Sequence, residues 1–138
     1  MGLKLEFAEE GNEIVSEWLP ANHFQGYNNI LHGGIQAALM DEIAYWTICV
    51  KLKTGAVTAK FDLSLRKPVL MNAGKIILRA KLSTNNRKLA KVNVKLLDSK
   101  NEVCAVGIIT FYLFSHEEAV KKLNFPSNPD TFFNPTSS

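Results

Sequence analysis

The chain has 138 residues, 46% of them hydrophobic and 21% charged, and its sixteen basic and thirteen acidic side chains leave a formal net charge of +3. That length corresponds to one ordinary domain, and that composition to a globular chain rather than a disordered or collagen-like one. The basic residues are dispersed instead of gathered in a block, so the charge gives weak support for an anionic ligand and weaker support still for nucleic acid.

The N-terminus MGLKLEFAEE lacks the basic-then-apolar order of a signal segment, and Glu6 stands where a myristoylation pattern needs Ser or Thr. Leu3 to Glu9 and Glu13 to Leu19 alternate around the turn-forming pair Gly11-Asn12, which predicts a hairpin. Ala21 to Asn29 reads as a polar, Asn-rich loop. Gly33-Gly34 then opens a segment rich in Ala, Leu, Met and Ile, predicting one helix from about Gly34 to Leu52. Its apolar residues run nearly all the way round, so other structure should enclose it.

The adjacent carboxylates Asp41 and Glu42 interrupt that helix and exclude it as a membrane span. A carboxylate within an apolar segment is costly to bury unless paired or hydrogen-bonded, which points to a catalytic helix; the alternative is that one or both acids reach the surface. After Gly55 the period changes, and Val57 to Val69, Lys75 to Thr84, Leu89 to Leu97 and Val103 to Phe114 alternate as four strands. Short polar turns separate them and favour antiparallel connections. One long helix followed by four long strands predicts an α+β domain with the helix on the apolar face of an antiparallel sheet. We place the core at about 13–114 within a single domain spanning 1–138. The tail 115–138 starts with a possible short helix, His116 to Leu123, and carries Phe125, Phe132 and Phe133, aromatics suited to docking on other structure. Cys49 and Cys104 lie in apolar runs outside any metal-ligand or C-x-x-C spacing, and read as buried, reduced thiols of a cytoplasmic protein.

Phe24-Gln25-Gly26, then Leu31-His32-Gly33-Gly34-Ile35, then Ala38-Leu39-Met40-Asp41-Glu42, then the strand Thr58 to Leu65 ending in Arg66-Lys67-Pro68, together resemble the PaaI-like (phenylacetate-degradation type) hotdog-fold acyl-CoA thioesterases. The similarity spans roughly Trp18 to Phe114. It implies a long central helix wrapped by a curved antiparallel sheet, assembled as homodimers that often pair into tetramers. The implied reaction is hydrolysis of a CoA or related pantetheine thioester. The chain departs from the pattern at Gly26, where many relatives carry Asn six positions before the histidine, so that contribution falls to Asn28 or Asn29 or is absent.

The helix adds a constraint of its own. His32 and Asp41 are nine residues apart, about two and a half turns and roughly 13 Å along an axis, so one helix cannot bring them together. A site using both needs two protomers, as a two-fold dimer provides and as the resemblance also implies. In that reading Gly33 offers its N–H at the helix N-terminus to the developing oxyanion. Asp41 serves as nucleophile or general base, and Thr58 holds the water or orients the carboxylate. His32 caps the helix or hydrogen-bonds near the thioester carbonyl, while Glu42 reads as structural. Gly34 and Asn28 would contact substrate, and Arg66, Lys67, Arg87 and Lys88 would grip the CoA phosphates, although a solvated turn accounts for any one of these four. No metal and no cofactor beyond the CoA substrate is expected. The leading function is an acyl-CoA thioesterase. The alternatives are a non-catalytic acyl-CoA-binding protein and a hydroxyacyl-thioester dehydratase, which would want a catalytic His opposite an acid.

Overall fold

The computed structural model describes residues 5–20, 25–27, 30–70 and 74–114. Two strands, β1 (Glu6–Glu10) and β2 (Glu13–Trp18), form the expected hairpin across Gly11, whose φ of +63° glycine adopts without strain. A short ladder of β3 (Gln25–Tyr27) and β4 (Ile30–Leu31) leads into α1 (Gly33–Leu52), which ends at Lys53 in the left-handed conformation with its N–H on the Cys49 carbonyl. Four long strands follow: β5 (Ala56–Leu65), β6 (Ile76–Asn85), β7 (Leu89–Leu97) and β8 (Val103–Leu113).

The large sheet is antiparallel throughout, in the order β1-β2-β6-β7-β8-β5. Its inner face is set by period-two alternation: Ile76, Leu78 and Ala80, then Ala90, Val92, Val94 and Leu96, then Ala105, Ile109 and Phe111 turn toward the helix. The helix answers with Leu39, Met40, Ile43, Ala44 and Ile48, all fully buried. Each of the four larger side chains contributes about 1.5–3 kcal/mol on leaving water. At Gly107 a Cβ would stand 3.2 Å from the Asp62 carbonyl oxygen and 3.2 Å from the Met40 methyl, so helix and sheet meet where there is no side chain.

Two features differ from the sequence-based expectation. The segment after Val69 makes no hairpin: β5 pairs with β8 and not with its successor β6, which leaves β5 at an edge of the sheet. The helix is also not enclosed on all sides. Gly34 and Ala38 are exposed, and Ile35, Asp41, Glu42, Tyr45 and Trp46 are partly so, forming a stripe at helical spacing that meets the sheet only at its edges, β5 through Asp41–Thr58 and β1 through Trp46–Phe7. Asp41 and Glu42 therefore both reach the surface of the single chain. Both cysteines are free and buried, as anticipated. The expected helix 116–123, the aromatics of the tail, His23, His116, Phe24, Asn28 and Asn29 lie outside the described residues.

Candidate active site

The start of the helix is built by four residues. Leu31 donates its N–H to the Val69 carbonyl at 2.8 Å and is almost fully buried, which anchors the entering chain. His32 is the N-cap, with φ −58° and ψ 134°, and its Nδ1 accepts the Gly34 N–H at 2.9 Å. Its carbonyl takes the Ile35 and Gln36 amides at 3.1 and 3.2 Å. The Gly33 N–H is thereby left with no hydrogen-bond partner among the described residues, at the positive end of a twenty-residue helix. Because Nδ1 is an acceptor, a neutral His32 ring carries its proton on Nε2, which is free to donate outward.

Asp41 lies two turns further along, on the open stripe. The Thr58 hydroxyl donates to its Oδ1 at 2.9 Å. That contact depends on a bulge in β5: the register with β8 shifts between Thr58 and Lys60, so Thr58 and Phe61 both turn toward the helix. A hydroxyl donor leaves the second carboxylate oxygen open to another proton or to a carbonyl carbon. Glu42, one position on, has no such partner among the described residues. Burial first, and the Asp41 charge second, push its carboxyl above the ordinary carboxylate range.

That shift has a sign. The folded chain holds the Glu42 proton more tightly than the unfolded one, so its stabilising contribution is present below the ordinary value of 4.5 and is lost as pH rises through the raised folded value. Glu42→Gln keeps the neutral form at every pH. We expect it to melt higher than the parent at neutral pH, with the advantage vanishing near pH 4.5. Thermal melts across that range check it, and parallel curves would refute it.

Gly33 and Asp41 do not meet in one protomer. A Cβ at Gly33 would touch Leu65 Cδ1 at 3.2 Å, which puts the helix start at the C-terminal end of β5, whereas Asp41 is tied to Thr58 near the other end. With the bulge subtracted, those two strand positions are roughly 20 Å apart. Cys49 is no nucleophile candidate: burial pushes its thiol up to about 12, against the half-buried Tyr45, whose own hydroxyl is raised by burial and by the thiol.

The basic residues separate as well. Lys67 is held by Asp98 at 3.3 Å and by Glu102 more closely still, which raises its ammonium and occupies it. Arg66 lines a shallow groove on the outer face of the sheet, about 440 Å³, with Lys95, Asn93, Ser64 and Asp62. Arg87 and Lys88 sit in the exposed turn before β7, at the Ala56 end of the β5–β8 ladder, where Lys88 O accepts the Leu113 N–H. Among the described residues no three His, Cys, Asp or Glu side chains form a group able to hold a metal, and no helix is long and apolar enough to cross a membrane.

No family model matches the chain by sequence, and no curated protein does. Solved structures do match its architecture. A thioesterase from Haemophilus influenzae superposes with a TM-score of 0.73 at 21% identity, covering 82% of this chain and 80% of its own. Zebrafish thioesterase superfamily member 2 gives 0.73 at 22% identity, over 80% and 82% of the two chains. The chain has the hotdog fold. A hotdog protein of Bacillus halodurans solved with CoA also matches, with a TM-score of 0.73 at 20% identity over 82% of this chain and 76% of its own. The open edge of β5 and the partly exposed stripe of α1 lie next to each other, and the Gly33 amide and the Thr58–Asp41 pair both border them.

Sequence reasoning had no indication of one further residue. Gln36, in the first turn of α1, is almost wholly buried, and its Nε2 donates to the Leu31 carbonyl at 3.2 Å. The signal available was an amide within an apolar helical run.

Proposed function

We propose that the protein hydrolyses an acyl-CoA or related pantetheine thioester at a site shared between two copies of the chain. The observation that carries this reading is the placement of Gly33 against Leu65 and of Asp41 against Thr58, toward the two ends of a strand at the edge of the sheet. An antiparallel two-fold pairing of β5 with its copy, centred near Phe61 and Asp62, sets Thr58 opposite Leu65 of the partner subunit. The same rotation carries Asp41 to Gly33 of the partner subunit, twice per dimer. It also satisfies the edge backbone groups and covers the apolar stripe of α1.

In that composite site the free Gly33 N–H donates to the thioester oxygen, aided by the helix dipole, and the Nε2–H of His32 supplies a second donor beside it. Asp41, steered by Thr58, either attacks the carbonyl carbon, expelling the CoA thiolate and leaving a mixed anhydride that water then hydrolyses to the free acid, or takes a proton from water that attacks the carbonyl carbon directly and expels the thiolate. Gly34 borders the entry to this centre. Arg66 of one subunit and Arg87 and Lys88 of the other come to the same end of the paired sheet, a suitable span for CoA phosphates; Lys67, occupied by two acids, is the weakest of the four. The CoA carried by the B. halodurans structure supports a CoA ligand here. A single 138-residue domain, a homodimer or homotetramer in the cytoplasm, needing no cofactor, completes the reading.

Incubating the purified protein with short, medium, long and aryl CoA thioesters, and detecting free thiol, tests it. We expect release from at least one class. Binding of these thioesters without release would favour a non-catalytic acyl-CoA-binding protein, and hydration or dehydration of an enoyl or hydroxyacyl thioester would favour a dehydratase.

A further inference from the structure

Gln36 is polar, buried and only half satisfied. Its Nε2 donates to the Leu31 carbonyl at 3.2 Å, while its Oε1 is the one buried side-chain polar atom without a partner among the described residues. An apolar side chain of similar length would fill the same space and avoid an orphan acceptor, so packing does not explain the amide. What the amide does is local. A helical side chain leans back toward the N-terminus, and this one reaches the residue just before the cap. Leu31 is thus clamped on both sides, by Val69 through its N–H and by Gln36 through its C=O, while the His32 side chain holds Gly34. These three bonds bracket the peptide unit that carries the free Gly33 N–H.

We propose that Gln36 is a positioning residue for the oxyanion-binding amide of Gly33, acting through the Leu31 carbonyl; this rests on the thioesterase reading above. Without the amide, the Leu31 carbonyl loses its donor, and the Leu31–His32 peptide is free to rock between the Val69 anchor and the backbone bonds of the His32 cap, which tilts the adjoining Gly33 N–H from the line it must hold. The effect belongs in turnover more than in substrate affinity, since the donor matters most as charge develops.

Two variants separate this from a merely structural role. Gln36→Met removes the donor and keeps the bulk; we expect kcat to fall by about ten- to a hundredfold with KM within about threefold. Gln36→Glu keeps the shape. Protonated, it donates to the Leu31 carbonyl as the amide does; ionised, it repels both that carbonyl and the growing oxyanion. Its activity relative to the parent should therefore climb as pH falls, with melting curves at each pH showing the variant folded throughout, so that loss of fold does not account for the profile. Backbone amide exchange by NMR gives a readout free of any assay: in Gln36→Met the hydrogen-bonded amides of Gly34 and Ile35, on either side of the cap, should exchange at least about tenfold faster while those of Leu39 to Ile48 stay unchanged. Unaltered exchange at Gly34 and Ile35 overturns the proposal, as does a kcat within twofold of the parent. A parent that cleaves no thioester would end the functional reading while the exchange measurement still decides whether Gln36 sets the amide. If the Met variant fails to fold, the pH profile and amide exchange of the Glu variant decide alone.

Discussion

Asp41→Asn is expected to reduce thioester hydrolysis by at least about a hundredfold while leaving the fold and the assembly intact. The substitution keeps the size of the side chain, and its Oδ1 still accepts the Thr58 hydroxyl, so the helix and the β5 bulge have no reason to move. What disappears is the anionic oxygen that attacks the carbonyl or deprotonates water, and an amide can do neither. Thr58→Val, which leaves the carboxylate but frees it to rotate, should cost less than Asp41→Asn, and the ordering of the two is itself informative. Rates from the thiol-release assay, with melting curves and size-exclusion profiles as controls, check it. Near-normal turnover in Asp41→Asn would move the chemistry to Glu42, the neighbouring acid whose burial already favours its protonated form.

The elements were legible because each is written in local chemistry. The Gly11 turn, the helix after Gly33-Gly34 and the alternation in β6, β7 and β8 needed only periodicity and turn residues. Which strands become neighbours was not legible. Alternation decides the face a residue takes and says nothing of the strand beside it, so β5 was read into a succession of turns although it closes on β8. The same limit shaped the site. His32, Gly33 and Asp41 could be singled out as residue types, and helical geometry alone already argued that one helix could not unite them. The facts that place them, Gly33 on Leu65 and Asp41 on Thr58, are contacts between elements separated in sequence. Lys67 shows the converse: a basic residue before a proline looks available until a loop more than thirty residues away brings Asp98 and Glu102 onto it. Gln36 went unremarked because its partner is a backbone carbonyl, and carbonyls leave no mark in a sequence.

Gly33→Pro should lower kcat by roughly a hundred- to a thousandfold, the usual effect of deleting one oxyanion donor. Proline is an unusually clean probe at this position. Gly33 is the first helical residue, where proline is favoured and no intrahelical bond is lost, and His32 at φ −58°, ψ 134° already has the extended conformation that a residue before proline adopts. At the added Cβ the neighbour is the terminal Leu65 methyl, 3.2 Å away, the far end of a flexible side chain. This variant and Asp41→Asn then answer the question of where the site lies. If each centre takes Gly33 from one copy and Asp41 from the other, a mixed dimer of the two inactive chains holds one doubly damaged centre and one intact centre. Random exchange makes about half the dimers mixed, so about a quarter of parental activity should reappear on unfolding and refolding the two variants together. A site complete within one chain predicts no recovery at all, because every chain then carries a defect. A null result with mixed dimers demonstrably present would therefore overturn the shared site, and with it the pairing of β5 about Phe61 and Asp62, while leaving Asp41 free to act within its own protomer.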